Sequence, residues 1–247
     1  MIKIGCCGYP VAREKYFAEF QVVEIQKTFY QLPQLTTAEK WHQQAPKNFE
    51  FTLKAWQGIT HLANSPTYRK IRLAIAEDRL KHLGHFQPTE EVYTAWNQTL
   101  KVAEILQATV IILQCSPRFI ETEENLKHLA HFFQTIPRNN FKIALEFRGR
   151  WRPQTILDIC QQFRLTHCVD PFKEECRFGE IRYYRLHGSP PGERMYRYQY
   201  NQQDFKFLAE KIRNDAQNDR EIYCMFNNIT MWDDARSFRN YLNAPGG

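Results

Sequence analysis

The sequence lacks the long apolar runs, the blocks of like charge and the Gly- or Ser-rich linkers of membrane, tail and multi-domain sequences. No apolar stretch approaches the length of a membrane span. Lys3 and the polar run Arg13–Glu19 leave no apolar core for a signal peptide. We therefore expect one domain over residues 1–247 in the cytoplasm, with no membrane partner.

Paired cysteine motifs are also missing. The seven cysteines are odd in number and scattered, and the adjacent Cys6 and Cys7 do not form a C-x-x-C motif. Several others, such as Cys115, Cys168 and Cys224, lie in apolar runs, where cysteine packs as a small hydrophobe. Neither a disulfide framework nor a zinc site is indicated, which is typical of a reducing compartment.

Composition excludes disorder and points to no single partner. Of the 247 residues, 43% are hydrophobic and 24% are charged, which is ordinary for a globular protein. Lys plus Arg is 33 and Asp plus Glu is 27, so the net charge is 33 − 27 = +6. This mildly basic balance permits a polyanionic partner without requiring one, and it leaves the oligomeric state open.

Eight short runs rich in β-branched or aromatic residues predict strands. They are Ile2–Cys6, Val22–Gln26, Phe49–Lys54, Val110–Cys115, Lys142–Arg148, Thr166–Asp170, Ile181–His187 and Glu221–Asn227. Helical patterns fall between most of them, at Thr36–Gln44, Val92–Gln107, Glu121–Gln134, Pro153–Phe163, Gln203–Ala216 and Asp233–Leu242. Alternating strands and helices indicate a parallel sheet. Eight such units in this length predict an α/β fold, a closed (β/α)8 TIM barrel.

The segment between the third and fourth strands is longer than a simple connection. Residues 56–91 hold a basic helical pattern at Tyr68–Leu83 between two polar turns. An enlarged insertion at this position should overhang the ends of the strands, where functional residues of barrels usually lie.

Polar side chains occur late in strand after strand. Because side chains alternate across a strand, an outward apolar set places the remaining residues inside the barrel. In the fifth strand, Ile143, Leu145 and Phe147 face out, so Glu146 and Arg148 face in. The same argument predicts an inward rim of Glu24, Lys54, Gln114, Glu146, Arg148, Asp170, Arg185 and His187. Either Asn227 or Asn228 joins it, and alternation does not decide which.

Two explanations of this rim are open. The charges of Glu24, Glu146 and Asp170 could simply neutralise those of Lys54, Arg148 and Arg185 in an ion network that plugs the barrel. Such networks do not beat apolar packing for stability, so stability alone explains them poorly. Polar residues at this end of a barrel usually bind or react, and we favour a functional pocket.

Several short motifs run in order through nearly the whole chain. They are Val22–Pro33 (VVEIQKTFYQLP), Phe51–His61 (FTLKAWQGITH), Leu113–Phe119 (LQCSPRF), Ala144–Trp151 (ALEFRGRW), Val169–Pro171 (VDP), Tyr184–Gly188 (YRLHG) and Phe226–Asn228 (FNN). In these motifs the sequence resembles the YecE-like family, also called domain of unknown function 72. The resemblance implies a barrel and a site at its rim, without a particular reaction.

The chain departs from the family pattern in three places. Tyr9 replaces a frequent Trp, and Ser116 stands where the pattern often has Pro. Gly149 follows the EFR motif where a His is frequent. The loss of that His removes a candidate proton carrier and weakens a catalytic role for this loop.

The rim residues suggest acid–base chemistry. Glu24, Glu146 and Asp170 could act as acid, base or nucleophile, together with His187. The same groups could hold a divalent metal, but no ligand spacing such as H-x-x-x-H supports one, so a hydrogen-bonding role for His187 is favoured and no metal ligand is predicted.

The cationic rim residues suggest an anionic substrate. Arg148 and Arg185 present planar forks that suit phosphate or carboxylate. Lys54 could form a Schiff base if its pKa were lowered, but nearby carboxylates favour a salt bridge instead. Further candidates for substrate binding are Gln114, Tyr30, His61, Asn227 and Asn228. Tyr30 could equally be core, and His61 could equally cap a loop helix.

Two function classes follow. The first is a hydrolase or lyase on a small anionic substrate such as a phosphoester, in which Glu146→Gln would abolish turnover and leave the fold intact. The alternative is a nucleic-acid or nucleotide binding protein that uses the basic segment Tyr68–His85 and would lose affinity steeply with salt. Glu77 and Asp78 interrupt that segment, which favours a solvated helix face.

Overall fold

The backbone forms a ring of eight parallel strands. The computed structural model describes residues 1–70, 76–188, 195–216 and 220–244. The strands are β1 (Ile2–Cys7), β2 (Val22–Ile25), β3 (Glu50–Lys54), β4 (Val110–Gln114), β5 (Lys142–Glu146), β6 (Thr166–His167), β7 (Arg182–Leu186) and β8 (Ile222–Phe226). Their order in the sheet is β6-β5-β4-β3-β2-β1-β8-β7.

A single bridge closes the ring between the first and last strands of that order. Val169 pairs in parallel with Tyr184. The Val169 N–H donates to the Tyr183 carbonyl at 3.2 Å, and the Arg185 N–H donates to the Val169 carbonyl at 2.9 Å. The predicted (β/α)8 barrel is therefore confirmed, although β6 is shorter than the sequence pattern suggested.

Helices connect most of the strands and cover the outside of the barrel, whereas the residues between β6 and β7 form no helix. They are α1 (Arg13–Glu19), α2 (Lys27–Tyr30), α3 (Leu35–Gln44), α4 (Glu90–Leu106), α5 (Glu123–Thr135), α6 (Pro153–Phe163), α7 (Gln202–Ala216) and α8 (Met231–Asn243). The Thr89 and Thr122 hydroxyls accept N–H bonds from the first turns of α4 and α5, as N-caps do. None of the described helices combines the length and apolar character needed to cross a membrane.

The enlarged insertion lies between β3 and α4. It contains two 3₁₀ helices, Pro66–Lys70 and Glu77–His82. The sequence pattern predicted one basic helical stretch at Tyr68–Leu83, and the two described parts of it are separate 3₁₀ segments. Residues 71–75, which include Arg72, lie outside the described residues. The insertion is confirmed, but its helical geometry differs because short polar segments favour tighter turns.

Strand alternation divides the buried side chains into an outer and an inner set. The outer set, such as Val23, Phe51 and Leu145, packs against the helices. The inner set forms a separate apolar layer across the barrel, made of Cys7, Val22, Val110, Ile112, Ala144, Cys168, Ile181, Tyr183, Tyr223 and Met225. This layer separates two polar groups of residues, one at each end of the strands.

The N-terminal end of the barrel carries a fully paired ion network. Lys3 Nζ lies 2.5 Å from a Glu50 oxygen and 3.0 Å from a Glu221 oxygen. Lys142 pairs with the other Glu221 oxygen, and the Tyr223 hydroxyl donates to Glu50 at 2.6 Å. Burial would lower the pKa of Lys3, but its bonds to Glu50, Tyr223 and Glu221 outweigh this and raise it.

Candidate active site at the C-terminal end of the barrel

Arg185 occupies the centre of the C-terminal end, directly above the apolar layer. Its side chain is fully buried and joins two carboxylates from opposite sides. Nε and Nη2 donate to the two Glu24 oxygens at 3.1 and 3.0 Å. Nη1 donates to Glu146 at 2.5 Å and to the Gln114 amide oxygen at 3.0 Å.

These contacts change the interpretation of three predicted site residues. Glu24 has no exposed surface and also accepts bonds from Tyr183, at 3.0 Å, and from Gln26. The anion-clamp role predicted for Arg185 does not fit, because its donors are committed to protein acceptors. The buried base of the site is therefore formed by Glu24, Arg185 and Gln114, and the more exposed site residues lie above it.

Arg148 is the arginine that faces the opening, since 16% of its side chain is exposed and that of Arg185 is wholly covered. Its Nε lies 2.5 Å from Glu146 Oε1 in an ion pair. Burial alone would raise the pKa of Glu146, but the charges of Arg148, Arg185 and His187 outweigh it and lower that pKa. Glu146 is thus an ionised anchor for both arginines.

His187 is the only described histidine whose ring contacts both the cationic and the anionic side of the rim. Arg148 Nη2 lies 2.6 Å from His187 Nε2. A guanidinium cannot accept a hydrogen bond, so Nε2 is the acceptor and the imidazole is neutral. Burial outweighs the nearby Asp170 and Glu146 carboxylates and lowers the pKa of His187, which agrees with the neutral form.

Asp170 lies on the other side of this ring, although Nδ1 has no hydrogen-bond partner of good geometry among the described residues. Its Oδ2 lies 3.5 Å from His187 Nδ1 and accepts the His187 backbone N–H at 3.1 Å. Oδ1 accepts the Phe172 N–H at 3.1 Å. Because Nε2 accepts, the ring proton is on Nδ1 and points towards Asp170. The next residue, Gly188, has φ +103, a conformation that suits glycine.

Lys54 lies inside the barrel at the end of β3, but the described residues do not form the expected salt bridge with it. No carboxylate of the described residues lies within 4 Å of Nζ, which sits 3.6 Å from the centre of the Phe29 ring. The residue is 6% exposed. Burial and the charge of Arg185 lower its pKa to about 7, although Glu146 and Glu24 act in the opposite direction. The carboxylates that could have paired with it are bound to Arg185.

The loop after β3 brings two further polar residues close to this region. His61 is 2% exposed and its Nδ1 bonds the Thr60 hydroxyl at 2.8 Å. Burial and the charge of Lys54 lower the pKa of His61 to about 3, so its ring is neutral. Gln57 is completely buried, and neither its amide nitrogen nor its oxygen has a hydrogen-bond partner in the part of the chain that the structure describes. An unpaired buried amide is costly unless something else bonds it.

Aromatic and amide candidates occupy different positions. Tyr30 is half-buried at the end of α2, edge-on to Phe29 with 5.1 Å between ring centres. Asn228 turns outward, because its amide donates to the Tyr198 carbonyl at 2.7 Å and to Asp234 at 2.6 Å. Asn227 continues the inner face of Tyr223 and Met225. The pair predicted from sequence is thereby divided, with Asn227 on the barrel side.

Tyr196 is a site residue that the sequence did not reveal. Its ring stands edge-on to His187, with 5.7 Å between ring centres, and its hydroxyl lies beside the Arg148 guanidinium. The Tyr196 N–H donates to the His187 carbonyl at 2.6 Å, and the residue has φ +72. Strand alternation cannot identify such a residue, because it belongs to a loop. The aromatic run at 196–200 is the available signal.

The glycine that departs from the family pattern has a packing reason. A Cβ at Gly149 would lie 2.2 Å from the Phe119 carbonyl oxygen. A histidine at this position would therefore clash unless the loop after β4 moved. Here the neighbouring Arg148 side chain, not residue 149, reaches His187.

The basic segment of the insertion is partly neutralised where it is described. Arg79 pairs with Glu91 at 2.6 Å and with Glu90 at 3.0 Å, both at the start of α4. Arg69 and Lys81 are exposed. Among the residues that the structure describes, no three of the His, Cys, Asp and Glu side chains are grouped as metal ligands.

Comparison with known proteins agrees with this architecture. The family model described as "Protein of unknown function DUF72" matches residues 12–246. The chain belongs to the DUF72 family. It is 25% identical to the UPF0759 protein YunF of Bacillus subtilis, over 98% of this chain and 94% of that protein.

Solved structures show the same fold. A DUF72 family protein of Enterococcus faecalis V583 superposes with a TM-score of 0.73 at 21% identity, covering 99% of this chain and 98% of the other. One of Thermotoga maritima MSB8 gives 0.72 at 20% identity, covering 99% and 100%. A D-tagatose 3-epimerase-like protein gives 0.60 at 13% identity, covering 98% of each chain. At these identities the likeness concerns the barrel fold alone.

Proposed function

We propose that the C-terminal end of the barrel is the active site of a hydrolase or lyase that acts on a small anionic substrate, such as a phosphoester. The observation that carries the proposal is the 2.6 Å contact between Arg148 Nη2 and His187 Nε2. In this contact the guanidinium of Arg148, a group that binds anions, meets the lone pair of the neutral His187 imidazole, which can act as a base.

This contact couples substrate binding to the exposure of the base. A phosphate or carboxylate competes with His187 for the Arg148 donors, because a charged acceptor is stronger than a neutral imidazole. When Arg148 turns to the anion, Nε2 becomes free to take a proton from water or substrate. Asp170 holds the ring and favours the imidazolium that then forms.

Glu146 keeps Arg148 in position and is itself tied to Arg185. The substitution Glu146→Gln would therefore disturb both arginines and lower stability, contrary to the expectation from sequence that the fold would be unaffected. Arg148 and His187 are better positions for a test, because neither is bonded to Arg185 in the described structure.

Nucleic-acid binding by the insertion has less support. Its cation Arg79 is paired with Glu90 and Glu91. The described rim residues contact one another in one cluster around Arg185 and Glu146, not along an extended track.

Calorimetric titration with inorganic phosphate tests the anion site. Arg148→Met should weaken phosphate binding by roughly 10-fold or more, since a hydrogen bond to a charged group contributes about 1.5–3 kcal/mol. Arg150→Met is the matched control, because Arg150 is exposed two residues away and should leave the affinity unchanged. Equal affinity of wild type and Arg148→Met, or no binding to either, would overturn the proposal.

Turnover provides the second arm of this test. Once a phosphoester or carboxylate library yields a substrate, His187→Gln should abolish turnover and leave phosphate binding measurable. Full activity of His187→Gln would contradict the assignment of His187 as the base.

A further inference from the structure

Lys54 is deeply buried and has no acidic partner among the residues that the structure describes. It is 6% exposed at the C-terminal end of β3, with its Nζ over the Phe29 ring. No carboxylate of the described part of the chain reaches within 4 Å of it. A lysine with a structural role normally has such a partner, as Lys3 does at the other end of the barrel.

The surroundings of Lys54 explain why it stays unpaired. Glu24 and Glu146, the nearest acidic candidates on the neighbouring side of the rim, both bond the same arginine. The charged and titratable groups that act on the Lys54 amine are Arg185, Arg148, Glu146, Glu24 and His61. Two of these are arginines, and their repulsion adds to the loss of water around the amine.

The result is an amine that is available in its neutral form. The Phe29 ring favours an ammonium, but burial weighs more, and with Arg185 it lowers the pKa of Lys54 to about 7. An ordinary lysine has a pKa near 10.5, so only a trace of its amine is neutral at pH 7. A neutral lysine amine is the nucleophile of carbonyl chemistry.

We propose that Lys54 forms an imine with a small carbonyl compound that carries a carboxylate or phosphate. The proposal deepens the proposed function, and it rests on that function only for the anion, which would lie on Arg148. The Lys54 nitrogen adds to the carbonyl carbon and gives a carbinolamine after one proton moves to the oxygen. Loss of water, with a proton taken up from the rim, then leaves the iminium.

The iminium makes a lyase reaction possible without another cofactor. Its positive nitrogen takes up the electron pair of a C–H or C–C bond at the adjacent carbon and becomes an enamine nitrogen. In C–H cleavage the released proton goes to a base. In C–C cleavage the departing carbon carries a hydroxyl group, leaves as a second carbonyl compound and gives its hydroxyl proton to the same base, a role for which His187 lies on the same rim. Protonation of the enamine and addition of one water return the free Lys54 amine and a carbonyl product.

Reductive trapping tests the imine on the intact protein. Wild type is incubated with pyruvate or with dihydroxyacetone phosphate, reduced with sodium borohydride, digested and mapped by mass spectrometry. We expect at least about 10-fold more adduct on Lys54 than on the exposed Lys40, because burial and Arg185 lower the pKa of Lys54 and so raise its neutral fraction. The yield on Lys54 should level off above about pH 7.

Variants show whether the adduct is specific. Lys54→Arg and Lys54→Met should both lose the adduct at this position, and two replacements guard against misfolding of either one. Lys40→Arg should trap as wild type does. Absence of adduct on Lys54 with both compounds, or equal labelling of Lys54 and Lys40, would overturn the proposal.

Arg148→Met separates this proposal from the proposed function. If phosphate binding depends on Arg148 but Lys54 is never trapped, the anion site stands and the imine fails. If uncharged dihydroxyacetone is trapped on Lys54 while Arg148→Met binds phosphate as well as wild type does, the imine stands and the anion site fails.

Discussion

The two ends of this barrel use the same kinds of residue in different ways. At the N-terminal end, Lys3 is bonded to Glu50, Glu221 and Tyr223, and its pKa is raised. At the C-terminal end, Lys54 is more deeply buried, has no acidic partner among the described residues, and its pKa is lowered. The apolar layer between them keeps the two networks separate.

This difference shows that a charged network inside a barrel is not in itself evidence of a site. The N-terminal network is an ion network that plugs the barrel, which is the structural alternative considered for the rim. The C-terminal end contains a similar ion network, Glu24–Arg185–Glu146. Beside it lies the Lys54 amine, which has no acidic partner among the described residues. Because burying an unpaired charge is costly, a network that only stabilises the fold should leave no buried amine without a partner.

The largest effect on stability should come from Arg185→Met, which tests whether the Glu24–Arg185–Glu146 network stabilises the fold. It leaves Glu24 and Glu146 buried without their common partner, and we expect a loss of about 3–5 kcal/mol in the free energy of unfolding. Urea denaturation at neutral pH measures this. A loss below about 1 kcal/mol would mean that Arg185 does not stabilise the buried carboxylates and is free to bind a ligand.

Lys54→Met should instead stabilise the protein, because the variant no longer buries an unpaired amine. The folded pKa of Lys54 lies below its unfolded value of 10.5, so wild-type stability rises with pH between about 7 and 10.5. The gain from Lys54→Met should therefore be largest at or below pH 7 and should fade towards pH 10.5. Urea denaturation at several pH values measures it, and a pH-independent loss of stability would contradict the comparison.

Lys3→Met is the matched variant at the other end and should have the smaller effect with the opposite sign. Removal of its bonds should cost about 1–3 kcal/mol. Because its folded pKa is raised, this contribution is present below pH 10.5 and is lost only as pH rises through the raised value. The same denaturation series measures it. If Lys3→Met and Lys54→Met shift stability in the same direction, the two ends do not differ as described.

Much of the fold and the membership of the rim follow from local sequence patterns. Alternation within strands correctly placed Glu24, Lys54, Glu146 and Arg185 inside the barrel, because the side-chain period of a strand is fixed by its backbone. The α6 helix has the predicted bounds, Pro153–Phe163. Short α1 and α2 have too few residues to show a helical period, and the sequence did not predict them.

Pairing across the rim could not be predicted. Which carboxylate Arg185 takes depends on distances between strands far apart in the chain, such as β2 and β7. For that reason the sequence suggested a salt-bridged Lys54, and the structure shows that its candidate partners bond Arg185 instead. Tyr196 and the division between Asn227 and Asn228 depend on loop conformation, which strand periodicity does not encode.

A crystal structure determined with inorganic phosphate tests most directly whether the C-terminal end is a ligand site. The account predicts phosphate on Arg148, with the Arg148–His187 contact opened and His187 Nε2 free, and no phosphate at the paired network around Lys3. Phosphate absent from the rim, with that contact intact at concentrations that saturate binding in solution, would contradict it.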